Sequence, residues 1–165
     1  MKIFIFLTKF KSMKQATLSY VIQNDKVLLI KKKRGIGKDF YNGPGGKIED
    51  GETPRKSVIR ETKEEVGINL HSLEKVGELK FIFGKKPFMY VHIFKTNEFE
   101  GKPKETEEAK PVWFFKNDLP YDKMWPDDKY WMPLMFEDKK FKGMFNFDES
   151  GDELINHKLN TVKSF

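Results

Sequence analysis

The stretch from Gly46 to Ile68, GKIEDGETPRKSVIRETKEEVGI, limits what this chain can fold into more than any other. Thr53 suits the N-cap of a helix, and Pro54 suits its first position, where a missing N–H has no partner to lose. No Gly or other Pro follows until Gly67, which fits the left-handed position that closes a helix. The spacing predicts a helix over 54–66, with Gly43, Gly45, Gly46 and Gly51 marking loops before it. Glu61, Glu64 and Glu65 stand at i, i+3 and i+4 and share one face. Ile59, Thr62 and Val66 form an adjoining face able to pack on a core.

Carboxylates at this spacing repel one another, and a cation among them removes that cost. Mg²⁺ takes oxygen ligands and commonly bridges carboxylates to substrate phosphates. The plainer reading is a solvated acidic face balanced by Lys56, Arg60 and Lys63. From the helix alone both readings stand.

The remaining scaffold alternates short apolar runs with turn residues. Ala16–Ile22 and Lys26–Ile30 read as strands around Gln23-Asn24-Asp25. Leu73–Phe83 and Met89–Thr96 read as a second pair around Gly84–Pro87, and Val112–Phe115 as a short strand. Residues 97–111 read as a polar loop and Leu119–Asp128 as irregular. Lys129–Asp138 reads as a helix, Phe141–Asn146 as a strand, and 153–165 as holding one more.

A length of 165 residues suits one domain with a real core, over 13–165. The absence of Cys excludes a disulfide framework and a zinc–thiolate centre. A formal charge of +6 suits an anionic partner, nucleotide or nucleic acid alike. In Met1–Ser12 the apolar run Ile3–Leu7 is too short for a signal-peptide core or a membrane span. It reads as a strand, as an extra surface segment, or as an extension upstream of a natural start at Met13. The expected setting is cytoplasmic, with no membrane partner.

The full spacing of residues 46–68 matches the Nudix box, G-x5-E-x7-R-E-U-x-E-E-x-G-U, with Thr62 standing at an aliphatic position. The chain resembles the Nudix hydrolases, which cleave nucleoside diphosphates linked to another group. That resemblance implies an α/β (α+β) fold, a mixed β-sheet sandwiched between helices with the box as loop–helix–loop. Beyond the box, KKKRGIG (31–37), NGPGGKIEDGE (42–52), VGELKFIF (76–83), VHIFKT (91–96), MWPDDKYW (124–131) and KKFKGMFNF (139–147) are similar to the MutT-type oxidised purine nucleoside triphosphate diphosphatases of the animal branch.

The resemblance implies Mg²⁺-dependent release of pyrophosphate from 8-oxo-dGTP and 2-hydroxy-dATP, with Mn²⁺ as an alternative metal. It implies metal ligands at Gly46 (through its carbonyl), Glu61, Glu64, Glu65 and Glu108, with Glu65 the most essential. Glu108 also reads as part of a solvated loop with Glu105 and Glu107. Arg60 is expected to hold the box loop by pairing with Glu52. Lys32 and Lys47 are candidate phosphate contacts. A base pocket is implied at Thr17, Asn42, Phe81, Phe83, Trp125, Asp127, Asp128, Trp131 and Phe147. From the residues alone, Phe81, Phe83, Trp125 and Trp131 read as core.

Aromatic faces stack on any base, so selection falls to hydrogen bonds. Adjacent Asp127 and Asp128 resist ionising together, so one donates while the other accepts. Asn42 offers a donor and an acceptor to the opposite edge. The expected partner is a nucleoside triphosphate bound by a monomer, with no stable nucleic-acid partner. Two other classes stay open: a Nudix enzyme for another nucleoside diphosphate conjugate, and a non-catalytic Nudix module that binds oxidised bases in DNA.

Overall fold

Antiparallel ladders joined through two parallel pairs organise the chain. The computed structural model describes residues 13–165, so the expectations for Met1–Ser12 lie outside the described residues. β1 (Lys14–Gln23) and β2 (Lys26–Lys32) form a hairpin. Asn24 and Asp25 both take positive φ, 51° and 62°, as a two-residue turn matched to strand twist requires. β3 (Tyr41–Asn42) and β4 (Gly45–Lys47) follow, then α1 (Pro54–Val66) and β5 (Asn69–His71). β6 (Glu74–Phe83), β7 (Lys86–Thr96), β8 (Glu98–Glu100) and β9 (Ala109–Phe115) come next. A 3₁₀ turn at Tyr121–Lys123, α2 (Asp128–Phe136), β10 (Lys140–Phe147) and β11 (Leu154–Val162) complete the chain.

The main sheet runs β11-β10-β6-β7-β1-β2-β3, with β4 also on β1 and β9 also on β2. β1 with β7 and β10 with β6 are parallel, and the other ladders are antiparallel, so the sheet is mixed. Alternation along β2 shows the layering. Val27 and Leu29 enter one apolar cluster with Trp131, Met132 and Met135 of α2. Leu28 and Ile30 enter another with Val58 and Val66 of α1. Successive side chains of a strand point to opposite faces, so the two helices cover opposite faces of the sheet.

Two sequence expectations are corrected. Residues 97–111 are not one polar loop, because Glu98–Glu100 pairs with β5 and β9 already begins at Ala109. Phe99 provides the reason, packing on the α1-side core. Gly45 and Gly46 are strand residues of β4, not loop residues. A Cβ at Gly45 would stand 1.9 Å from the Thr17 carbonyl oxygen, so only glycine lets β4 lie this close to β1.

Candidate active site

The glutamate helix begins and ends where its caps dictate. The Thr53 side chain accepts from the Lys56 N–H at 3.2 Å, and Gly67 closes the helix at φ 77° with its N–H on the Lys63 carbonyl. Its buried residues are Ser57, Val58, Thr62, Glu65 and Val66. The three glutamates are therefore not equivalent: Glu65 is 5% exposed, whereas the Glu64 side chain is 53% exposed. At the aliphatic box position, Thr62 Oγ1 lies 2.9 Å from Ser19 Oγ, which donates onward to the Pro44 carbonyl at 3.2 Å.

Arg60 ties the helix to the preceding loop. Its Nε and Nη2 donate to the two oxygens of Glu52 at 2.7 and 2.8 Å, as the sequence reading anticipates. Nη1 also reaches Glu61 at 2.8 Å and Glu64 at 3.3 Å, and Nη2 the Lys47 carbonyl at 3.3 Å. These hydrogen bonds hold the Glu52 carboxyl down at about 2. The box carboxyls behave oppositely. Burial pushes Glu61 upward against the pull of Arg60, and the charges of Glu64 and Glu108 add to the push. Burial pushes Glu65 to about 8, with Glu61 and Glu108 adding, against the Gly45 N–H at 3.2 Å and Lys32.

Glu108 is bound by Arg34 at 3.0 Å and is partly exposed, yet its charge is felt by both Glu61 and Glu65. Thr106 explains the placement, since its Oγ1 donates to the Glu65 carbonyl at 2.8 Å and accepts from the Glu108 N–H at 3.2 Å. Sequence reasoning missed Thr106, whose only signal is a hydroxyl in a charged loop.

Among the described residues no three acidic or histidine side chains converge as a ready-made metal cage. Glu61 and Glu64 lean on Arg60, and Glu65 on Gly45. The donor chemistry still fits a hard divalent cation. It consists of carboxylate oxygens, two of them disfavoured as anions by burial and by each other. Gly46 lies against this group, where an added Cβ would stand 2.5 Å from the Glu61 carboxyl carbon.

A cavity of about 420 Å³ opens beside the box. Thr17, Lys32, Asn42, Gly46 and Lys47 line the side nearest the box loop. Phe81, Phe83 and Phe147 supply an aromatic wall, and Trp125, Asp127, Asp128 and Trp131 complete the lining. Glu61, Glu64, Glu65 and Glu108 do not line it; Gly45, Gly46 and Lys47 connect the two regions. Phe88, Met89 and Ile36 also line the cavity.

Trp131 serves as core and as support together. It is fully buried, meets Tyr20 and Phe141 at 5.5 Å each, and donates from Nε1 to Asp127 at 2.9 Å. Trp125 is less enclosed and packs edge-on with Phe40 at 5.4 Å. Burial lifts the Asp127 carboxyl to about 6, and burial plus the Asp127 charge lifts Asp128 well above the carboxylate range. Asp128 Oδ2 and Thr17 Oγ1 are buried with no hydrogen-bond partner among the described residues. Asn42 Oδ1 accepts from Tyr20 OH at 3.1 Å and from the Gly43 N–H at 2.9 Å, so its acceptor is taken and its amide N–H₂ is left to donate.

A sequence profile of the NUDIX domain matches residues 13–135. The chain belongs to the Nudix hydrolase family. It is 43% identical over 151 residues to a protein of Danio rerio named oxidized purine nucleoside triphosphate hydrolase, covering 91% of this chain and 96% of that one. A protein of Mus musculus with the same name is 43% identical over 150 residues, covering 90% and 96%. The fold is similar to the crystal structure of a MutT protein from Bacillus halodurans, with a TM-score of 0.78 at 30% identity, covering 90% of this chain and 98% of that one. Nudix hydrolases use divalent metal ions. No helix among the described residues of this Nudix chain is long and apolar enough to cross a membrane.

Proposed function

We propose that residues 13–165 form one catalytic domain that hydrolyses oxidised purine nucleoside triphosphates, 8-oxo-dGTP and 2-hydroxy-dATP, to the monophosphate and pyrophosphate. The observation that carries this reading is the single cavity joining the buried Asp127–Asp128 pair to Gly46 and Lys47 at the foot of the glutamate helix. A base at one end thereby places its phosphates at the other. The two 43% identical relatives bear the corresponding name.

Trp125 stacks on the base and the phenylalanine wall encloses it. Near neutral pH the dyad holds one proton, since Asp128 keeps its own while Asp127 is largely ionised. Asp128 Oδ2, without a partner among the described residues, donates to the base, and Asp127 accepts. Exchange of that proton lets the site accept two differently oxidised purines. Asn42 donates from its free amide, and Thr17 Oγ1 supplies another polar contact.

Lys32 and Lys47 meet the phosphates. Glu61, Glu64, Glu65, Glu108 and the Gly46 carbonyl would hold Mg²⁺, or Mn²⁺ in its place. The metal supplies charge neutralisation on the phosphates and an activated water. Glu65, fixed through Oε1 by Gly45, offers its other oxygen to the proton of the attacking water. The protein acts as a cytoplasmic monomer on free nucleotides and keeps oxidised purines out of nucleic acid synthesis.

The test is pyrophosphate release with Mg²⁺ from 8-oxo-dGTP, 2-hydroxy-dATP, dGTP and dATP at equal low concentration, with Glu65→Gln as the blank. A strong preference for an oxidised purine, lost in the variant, is expected. Equal rates on all four refute the substrate assignment.

A further inference from the structure

The β6–β7 ladder breaks where it borders the cavity. Phe81 pairs with Met89 and Ile82 with Pro87, so Phe88 is an extra residue bulged out of register. Pro87 accounts for the break, because it has no N–H to give the ladder and proline inside sheets is confined to edges and bulges. Among the described residues, β1 pairs with β7 from Lys14 opposite Met89 onward, and Pro87 pairs with β6.

In a regular strand, side chains 88 and 89 point to opposite faces. A bulge re-aims one of them. Here both residues line the same cavity. The Phe88 ring lies flat on Phe83, centroids 4.1 Å apart and planes 10° apart. Phe83 has little room to retreat, since it meets Phe147 at 5.6 Å and a Cβ on Gly151 would stand 2.4 Å from its ring.

We propose that Phe88 is a further specificity-determining residue, a ring delivered by the bulge that fixes the width of the base cavity and presses the base into register with Asp127 and Asp128. The inference rests on the substrate reading above. Hydrogen-bond selection needs the base in one position. A stacked pair of rings with no slack behind it holds that position, and a single ring at the same wall leaves the base free to slide.

The test is the KM and kcat of wild type, Phe88→Ala and Phe88→Leu on 8-oxo-dGTP, 2-hydroxy-dATP, dGTP and dATP, with pyrophosphate release as readout. Phe88→Ala is expected to raise KM for the oxidised purines about tenfold with a smaller change in kcat. The ratio of oxidised to ordinary kcat/KM should shrink towards one. Phe88→Leu, which keeps apolar bulk without a flat face, should fall between and serves if the alanine variant does not fold. Equal loss on all four nucleotides, or an unchanged ratio, overturns the role of Phe88 and leaves the substrate reading intact. A wild-type enzyme with no oxidised-base preference refutes the substrate reading instead. The KM values on the same nucleotides then still decide Phe88, and an unchanged KM overturns it separately.

Discussion

Replacing Asp127 with Asn should make the protein more stable at neutral pH and less active. Asp127 is 2% exposed and sits beside a second buried carboxyl. Its carboxyl is raised from 3.8 to about 6, chiefly by burial and despite the hydrogen bond from Trp131. The folded state therefore binds this proton more tightly than the unfolded chain. As pH rises from about 4 to about 6, the folded protein carries the excess proton and loses stability. Above about 6 the loss is complete and amounts to about 3 kcal/mol. Asn removes the charge and keeps an oxygen for Trp131 Nε1.

Urea unfolding of both proteins at pH 4, 5, 6 and 7.5 measures the difference directly. The two should be nearly equal at pH 4. The variant should gain steadily to about 3 kcal/mol by pH 7.5, worth about 6 to 12 °C in thermal midpoint. A difference that is flat with pH, or larger in acid, refutes the picture of a buried anion tolerated for recognition.

Gly46→Ala should lower kcat by about 10²-fold or more, because the new methyl would lie 2.5 Å from the Glu61 carboxyl carbon; steady-state kinetics check it. Glu52→Gln should lower activity about tenfold and Arg60→Ala more, because Arg60 also holds Glu61, Glu64 and the Lys47 carbonyl, and the double variant should be little worse than Arg60→Ala, since Glu52 acts through Arg60. Additive losses in that cycle would mean independent roles. Chelation with EDTA should abolish pyrophosphate release, and added Mg²⁺ should restore it.

What could be read from the sequence was what is local. Thr53, Pro54 and Gly67 carry their own helix-boundary chemistry, and the helix spans the 54–66 they predict. Asn24 and Asp25 announce their turn in the same way. The strand Glu98–Glu100 announces nothing, because its pairing with Asn69–His71 is distant in sequence and two of its three residues are charged. Gly45 and Gly46 read as loop because glycine usually marks one, whereas here close approach to the Thr17 carbonyl requires Gly45 and close approach of the Glu61 carboxyl requires Gly46. Shared-face reasoning grouped Glu65 with Glu61 and Glu64, yet packing against the sheet turns Glu65 inward. Every base-pocket residue named from the resemblance lines one cavity, while Phe88 depends on a register break between Ile82–Pro87 and Phe81–Met89 that strand periodicity does not show.

The hydroxyl pair of Ser19 and Thr62 bears on how such a chain can diverge. Thr62 Oγ1 has Ser19 as its one partner among the described residues, whereas Ser19 Oγ keeps the Pro44 carbonyl, so losing the serine alone strands a buried hydroxyl at a cost of about 1 to 3 kcal/mol and losing the threonine alone does not. Exchanging both for apolar groups of like shape is close to neutral. The two positions, 43 residues apart, are therefore tied in one direction. Among relatives, the serine on β1 should be lost only where the box position is aliphatic, and a threonine there without the serine should be rare.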